Sequence, residues 1–343
     1  MLPFISSAIP GIGGLLRTEP EDFIVQELPA YEPSGDGEHL ILEITKRQIT
    51  TQAIANELSR LLGCPQDAIG FAGMKDRQAV TTQRFSVPAN SDTAKLQECS
   101  ASVKILGLHR NKIRKGHLAG NRFRIRVRQA HHDWPKRCQD ISSLLCEKGF
   151  PNFYGPQRFG REGNNATIGE KALKTGKLFG PKWRKWLMVS AIQSLLFNEY
   201  LCQRIDDGLF ATAISGDVFG HLPRGGVFVS TSPAAEQPRL DRFEISPMGP
   251  IYGYKMMPAQ DQAALRESAV LKAHDLTLDA FRALKAEGSR RRLRLRPHNL
   301  SIEMQEGDPI FCVDLPAGTY ATVFLNEFMK IEECQGEEDD IDD

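Results

Sequence analysis

Two periodicities organise this chain. Residues 15–26 and 38–45 carry apolar positions at strand spacing. In the second run Leu40, Leu42 and Ile44 alternate with Ile41 and Glu43, so both faces are mostly apolar. That pattern predicts a sheet covered on both sides. The run AIANELSRLLG then switches to helical spacing, with Ile54, Leu58, Leu61 and Leu62 on one stripe. Thr50 or Thr51 can cap this helix and Gly63 can end it. Two β-like runs flank the loop GMKDR, where Gly73 supplies a flexible position. Residues 121–128 read as a strand with Arg122, Arg124, Arg126 and Arg128 on one face and Phe123, Ile125 and Val127 on the other. A helix is predicted over 140–148, leading into PNFYGPQRFGREGNN.

The texture changes near residue 178. Trp183, Leu187, Ala191 and Leu195 recur at helical spacing and predict a long buried helix through SAIQSLLFNEYL. Short strands with Gly and Pro turns follow, then a helix over 262–271 and the arginine-rich run SRRRLRLRP. PIFCVDLPAGTYATVFLNEF reads as strand, turn and helix. The class is α+β. A discontinuous first domain, 1–177 with 295–343, is expected to be interrupted by a second, 178–294.

Length and composition agree with this division. The 343 residues are 41% hydrophobic and 25% charged, as in a soluble globular protein of two domains. No stretch approaches the roughly 20 apolar residues of a membrane helix, and MLPFISSAIPGIGG lacks the basic start of a signal peptide. No membrane partner and a cytoplasmic location are expected. The seven cysteines are scattered without a CxxC pair, which suits a reducing compartment. His131, His132 and Cys138 lie close together but lack a second ligand pair, so no metal is expected.

Charge adds an asymmetry. Residues 331–343 carry eight acids and no base. Removing these eight from the 43 acids leaves 35 against 43 basic residues, a net charge of +8. The tail is expected to be disordered. The body is modestly basic, which is compatible with a polyanionic partner.

Three segments could carry chemistry. Asp76, between Lys75 and Arg77, is a carboxylate on a loop between strands, and its cationic neighbours favour the ionised form that a nucleophile or base needs. The same tripeptide is equally an ordinary solvated turn. PNFYGPQRFG packs Asn152, Phe153, Tyr154, Gln157, Arg158 and Phe159 between glycines. Aromatics beside amides and an arginine suit single-stranded RNA, although such rings also fill cores. Basic residues cluster at 109–117 (Arg110, Lys112, Arg114, Lys115), along the arginine strand and at 289–296. Together these argue for a polyanion groove; singly each is a solvated face. No GxxxxGK[ST], GxGxxG, HExxH or GxSxG occurs, so triphosphate, nicotinamide or metal chemistry has no visible support.

GFAGMKDRQAVTTQRFSV resembles the signature of TruD-type tRNA pseudouridine synthases. The likeness continues in order through LLRTEPEDFIVQE, NKIRKGHLAGNRF, PNFYGPQRFG, SAIQSLLFNEYL, ISPMGPIYG and LPAGTYATVFLNEF. It implies a pseudouridine synthase catalytic domain, a mixed and mainly antiparallel sheet flanked by helices, interrupted by an inserted TRUD α/β domain. It also implies isomerisation of a tRNA uridine, typically number 13 in the D-arm, without a cofactor and by a monomer. Residue by residue, Asp76 matches the catalytic aspartate, and Phe23, Asn152 and Tyr320 match positions lining the uridine pocket. Arg17 stands where many members have lysine, and Tyr154 and Tyr320 where some have phenylalanine; both aromatic changes keep a stacking plane. Lys75, Gln157, Arg158 and Phe159 fall inside the same motifs and are expected at the substrate. Arg110, Lys112, Arg114, Lys115, Arg122, Arg124 and Arg126 are the candidates for the RNA backbone. Two competing readings remain: a non-catalytic tRNA-binding or chaperone module of the same fold, and a glycoside-type hydrolase pairing Asp76 with Glu19, Glu21 or Asp22.

Overall fold

Local chemistry sets the element ends in the computed structural model, which describes residues 2–223 and 225–331. In the helix Thr51–Leu62 the Thr50 side chain accepts the Ala53 N–H, and Gly63 closes the C-terminus at φ 62°. That left-handed turn is cheap only without a side chain. The helix buries Ile54, Ala55 and Leu58 against Leu40, Leu42, Ile44 and Phe85 of the sheet beneath it.

The described residues pack as two units. One comprises 12–138 and 298–319; the other comprises 2–11, 139–297 and the chain from Tyr320. The compact units divide near residues 11, 138, 297 and 319, and the tail expected to be disordered lies outside the described residues from 332 on.

The first unit is built on an eight-stranded sheet. Its order is His298–Gln305, Asp308–Pro316, Leu118–Arg126, Phe23–Pro29, Val80–Pro88, His39–Arg47 and Ser102–His109, with the short strand Gly70–Phe71 pairing Val80–Pro88. Only Phe23–Pro29 and Val80–Pro88 run parallel; the other pairs are antiparallel. The mixed, mainly antiparallel sheet expected from the sequence is present. His39–Arg47 is apolar on both faces because Leu40, Leu42 and Ile44 pack under the helix while Ile41 packs with Ala72 and Ile113.

The second unit is centred on the helix Lys182–Asp206. Ile192, Leu196, Phe197, Tyr200 and Leu201 join Phe153, Leu173, Phe281 and Leu293 in its core. Of the stripe expected to be buried, only Ala191 is fully so; Leu187 and Leu195 are half-buried and Trp183 is exposed. The fully buried positions of the helix begin at Met188, and residues 182–186 at its start are exposed. A four-stranded sheet, Ser289–Arg292, Ile245–Ile251, Asp217–His221 and Val227–Ser230, packs beside it. No described helix is long and apolar enough to cross a membrane.

Candidate active site

The predicted site residues fall into two groups, one in each unit. In the first unit the GMKDR loop joins Gly70–Phe71 to Val80–Pro88. It is held at five points. Gln83 donates to the Gly73 carbonyl at 3.3 Å, and Thr51 Oγ1 accepts the Lys75 N–H at 2.9 Å. Lys75 Nζ reaches Glu27 Oε2 at 3.1 Å, with both side chains buried. Lys46 Nζ donates to the Asp76 carbonyl at 3.3 Å. Arg17 Nη2 meets Asp76 Oδ2 at 2.6 Å. A bare Lys-Asp-Arg turn would lack such anchors, so this loop is not the ordinary solvated turn the tripeptide also allows.

Asp76 keeps 30% of its side-chain surface open, while Arg17 is 16% open. The carboxylate is therefore clamped and still reachable. Arg17 adopts φ 57° and lays its guanidinium 4.6 Å over the buried ring of Phe23. Its Nε is buried with no hydrogen-bond partner among the described residues. Lys75 points into the Glu27 pair, so its role is to hold the loop. Lys46 and Glu27 escaped the sequence reading because each looks like an ordinary polar position on a strand. Burial of Lys46 pushes its ammonium down to about 8, with Asp76 partly offsetting this and Lys75 adding to it.

In the second unit, PNFYGPQRFG follows the strand Phe150–Pro151. Asn152 is fixed on both amide edges: Nδ2 donates to the Arg292 carbonyl at 2.9 Å and Oδ1 accepts Arg291 Nη2 at 2.6 Å. Asn198 clamps the Tyr154 backbone through its N–H and C=O, each at 2.9 Å. The Tyr154 ring lies 4.1 Å beneath the Arg291 guanidinium, 5.5 Å from that of Arg158 and 6.0 Å from the Tyr320 ring. Gly155 lets Tyr320 come close, since a Cβ there would sit 3.1 Å from that ring. Arg158 Nε donates to Ser194 Oγ at 3.0 Å. Gln157 is exposed and Phe159 half-buried, whereas Phe153 is core. A cavity of about 530 Å³ has Tyr154 and Phe159 in its wall together with Phe4, Leu195 and Val323, and is largely apolar.

The basic clusters separate on inspection. The arginine face crowds four cations, and the chain's own acids answer them. Arg122 pairs with Asp314 at 2.7 Å, Arg126 with Asp308 at 2.8 Å, and Arg128 with Asp22 at 2.8 Å. Arg124 donates to Gln305. Arg110 pairs with Asp36 and Lys112 reaches the Asp67 carbonyl; Arg114 and Lys115 are exposed. The run 289–296 is mostly internal, against the expectation of a groove lining. Arg290 is buried against Glu267, Arg291 holds Asn152, and Arg294 donates to the carbonyls of Lys148 and Leu240 with its guanidinium 4.0 Å over Phe243. Consecutive arginines fit an interior only where carboxylates, carbonyls and ring faces take their charge, and sequence spacing does not reveal those partners. His131 and His132 lie beside Asp133 in an exposed cluster, while Cys138 is buried.

The family model described as tRNA pseudouridine synthase D (TruD) matches residues 2–177 and 181–328. A tRNA pseudouridine synthase D from an Anaeromyxobacter species is 42% identical over 338 residues, covering 96% of each chain. One from Thermus thermophilus is 41% identical over 337 residues, covering 96% of this chain and 92% of the relative. A crystal structure described as a tRNA pseudouridine synthase D from Methanosarcina mazei superposes with a TM-score of 0.79 at 25% identity, covering 98% of both chains. An α+β chain matched by one enzyme family over residues 2–177 and 181–328, with relatives of that name at 41% and 42% identity, is a pseudouridine synthase. Within that class it belongs to the tRNA pseudouridine synthase D family, TruD.

Proposed function

We propose that this enzyme isomerises a uridine of tRNA, number 13 in the D-arm, to pseudouridine, with Asp76 as the catalytic carboxylate. The observation that carries this reading is the Arg17–Asp76 pair on a loop tied down at five points, with the carboxylate still open. The reaction detaches uracil from C1′, turns it and rejoins it through C5. No group enters or leaves the substrate, so an ionised carboxylate and a shaped pocket suffice without a cofactor. Asp76 can attack C1′, add to C6 of the base, or take a proton from C2′. Arg17 holds it by a charge-assisted hydrogen bond.

Phe23, Asn152, Tyr154 and Tyr320 are assigned to the base, which enzymes of this kind first turn out of its stack. Asn152 brings a fixed amide to an edge that offers N–H and C=O groups, Tyr154 and Tyr320 offer stacking planes, and Phe23, buried beneath the Arg17 guanidinium, supports the pocket through that arginine. Arg110, Arg114, Lys115, Arg122 and Arg124 are assigned to phosphates. Lys112 and Arg126 are more fully engaged by their own chain, and contribute less. The protein is assigned to the cytoplasm as a monomer, and 178–294 to the family's inserted domain. Against the hydrolase reading, each acid it would pair with Asp76 already faces a cation among the described residues: Asp22 and Glu19 meet Arg128, and Glu21 meets Arg47.

The test incubates unmodified tRNA with wild type and with Asp76→Asn, then maps pseudouridine by carbodiimide chemistry. Wild type marks the D-arm uridine. The variant binds tRNA with similar affinity and leaves no mark, a loss of at least roughly 10³-fold if the carboxylate is the nucleophile. Full turnover by the variant removes Asp76 from the chemistry, tRNA binding without product in wild type favours the chaperone reading, and release of free uracil favours the hydrolase.

A further inference from the structure

Residues 171–198 contain no acid. Within them Lys171, Lys174, Lys177, Lys182, Arg184 and Lys185 are all exposed. The same segment exposes three large aromatics: Phe179 keeps 84% of its surface, Trp183 56% and Trp186 64%. Burial of any of these rings would stabilise the fold, because aromatic side chains dominate core energetics. Yet the fully buried positions of the helix Lys182–Asp206 begin only at Met188, which leaves both indoles outside the core. Rings set among cations form a particular surface: phosphates meet the ammonium and guanidinium groups while bases stack on the rings.

A second observation ties this surface to the base-recognition motif. The Arg158 guanidinium lies 5.6 Å from the Trp186 ring and 5.5 Å from the Tyr154 ring. Tyr154 in turn has Tyr320 at 6.0 Å and Arg291 at 4.1 Å. A ladder of alternating ring and cation therefore runs inward from the exposed indole to residues assigned to the uracil. A helix packed for stability alone would hide Trp186; here its ring keeps 64% of its surface in solvent at the outer end of that ladder.

We propose that residues 174–186 form a stacking platform for unpaired nucleotides of the substrate RNA next to the target uridine, with Trp183 and Trp186 as its stacking planes. The inference rests on the reading of the substrate as tRNA. It assigns binding energy to a segment outside the catalytic loop, so its loss weakens binding while the chemical step survives.

The chain has three tryptophans, and Trp134 is buried, so the exposed pair can report directly. Wild type is titrated with an unmodified tRNA transcript while tryptophan emission and acrylamide quenching are followed. The expected result is strong quenching by RNA and protection from acrylamide at saturation. The triple variant Phe179→Ala, Trp183→Ala and Trp186→Ala should raise the Kd by roughly 10- to 100-fold, since stacking is lost at up to three rings. Its single-turnover rate at saturating enzyme should match wild type. Indoles that stay open to acrylamide at saturating tRNA, or an unchanged Kd in the variant, overturn the platform; open indoles would leave the surface to a protein partner. Pseudouridine formation with unprotected tryptophans sinks the platform alone. Protected tryptophans without pseudouridine sink the catalytic reading alone.

Discussion

Asp76 shows how one residue acquires a role from its neighbours. Its side chain is held by Arg17, and its backbone carbonyl accepts a hydrogen bond from the Lys46 ammonium. Lys46 is the more unusual of the two cations, because it is buried and also donates to the Ile49 carbonyl. Burial lowers its titration to about 8 from the ordinary 10.5. Below pH 8 both folded and unfolded chains carry the proton, and the cost of burying the charge is present. Between 8 and 10.5 the unfolded chain holds more protons, so stability rises with pH. Relative to Lys46→Met, the wild type should therefore gain about 1–2 kcal/mol between pH 7.5 and 9.5, allowing for partial solvent screening. Urea midpoints at the two pH values measure this, and parallel curves for the two proteins would remove the buried charge from the account.

At the scale of elements, charge has been placed where spacing alone misleads. The helix Lys182–Asp206 carries Arg204 in its last turn, fully buried. Its guanidinium pairs with Asp217 at 2.7 Å and donates to the carbonyls of Leu209 and Thr212, so one side chain organises the turn between helix and strand. Arg204→Leu leaves the buried Asp217 carboxyl group without its cation and should cost about 3–5 kcal/mol. A double replacement, Arg204→Leu with Asp217→Leu, should recover much of that loss in thermal melts; failure to recover would shift the weight to the carbonyl contacts. The strand Leu118–Arg126 carries the opposite lesson. Its alternation was plain in the sequence, but the acids that answer Arg122 and Arg126 come from residues 306–314, between 180 and 192 positions away.

For the whole molecule, the question is which cations remain for RNA. Arg122 keeps 53% of its side-chain surface while paired with Asp314, and the Arg124–Gln305 bond is exposed. Arg122→Gln with Arg124→Gln should weaken tRNA binding and flatten the plot of log Kd against log salt by roughly 1–2 units, with the single-turnover rate little changed. A slope identical to that of wild type would withdraw the arginine face from the RNA. The platform at 174–186 competes for this role, and the two sets of variants separate their shares.

The sequence alone determined the α+β class, the capped helix Thr51–Leu62, the loop that carries Asp76 and the family. These are short-range matters, written in periodicity, caps and contiguous motifs. Tertiary structure alone decided that Lys75 pairs inward with Glu27, that the arginines of 289–296 are largely internal, and that Trp183 faces water instead of the core. The physical reason is the same in each case. Whether a charged or aromatic side chain is spent on its own chain or left for a substrate depends on groups brought beside it from distant positions, and no local pattern encodes that company.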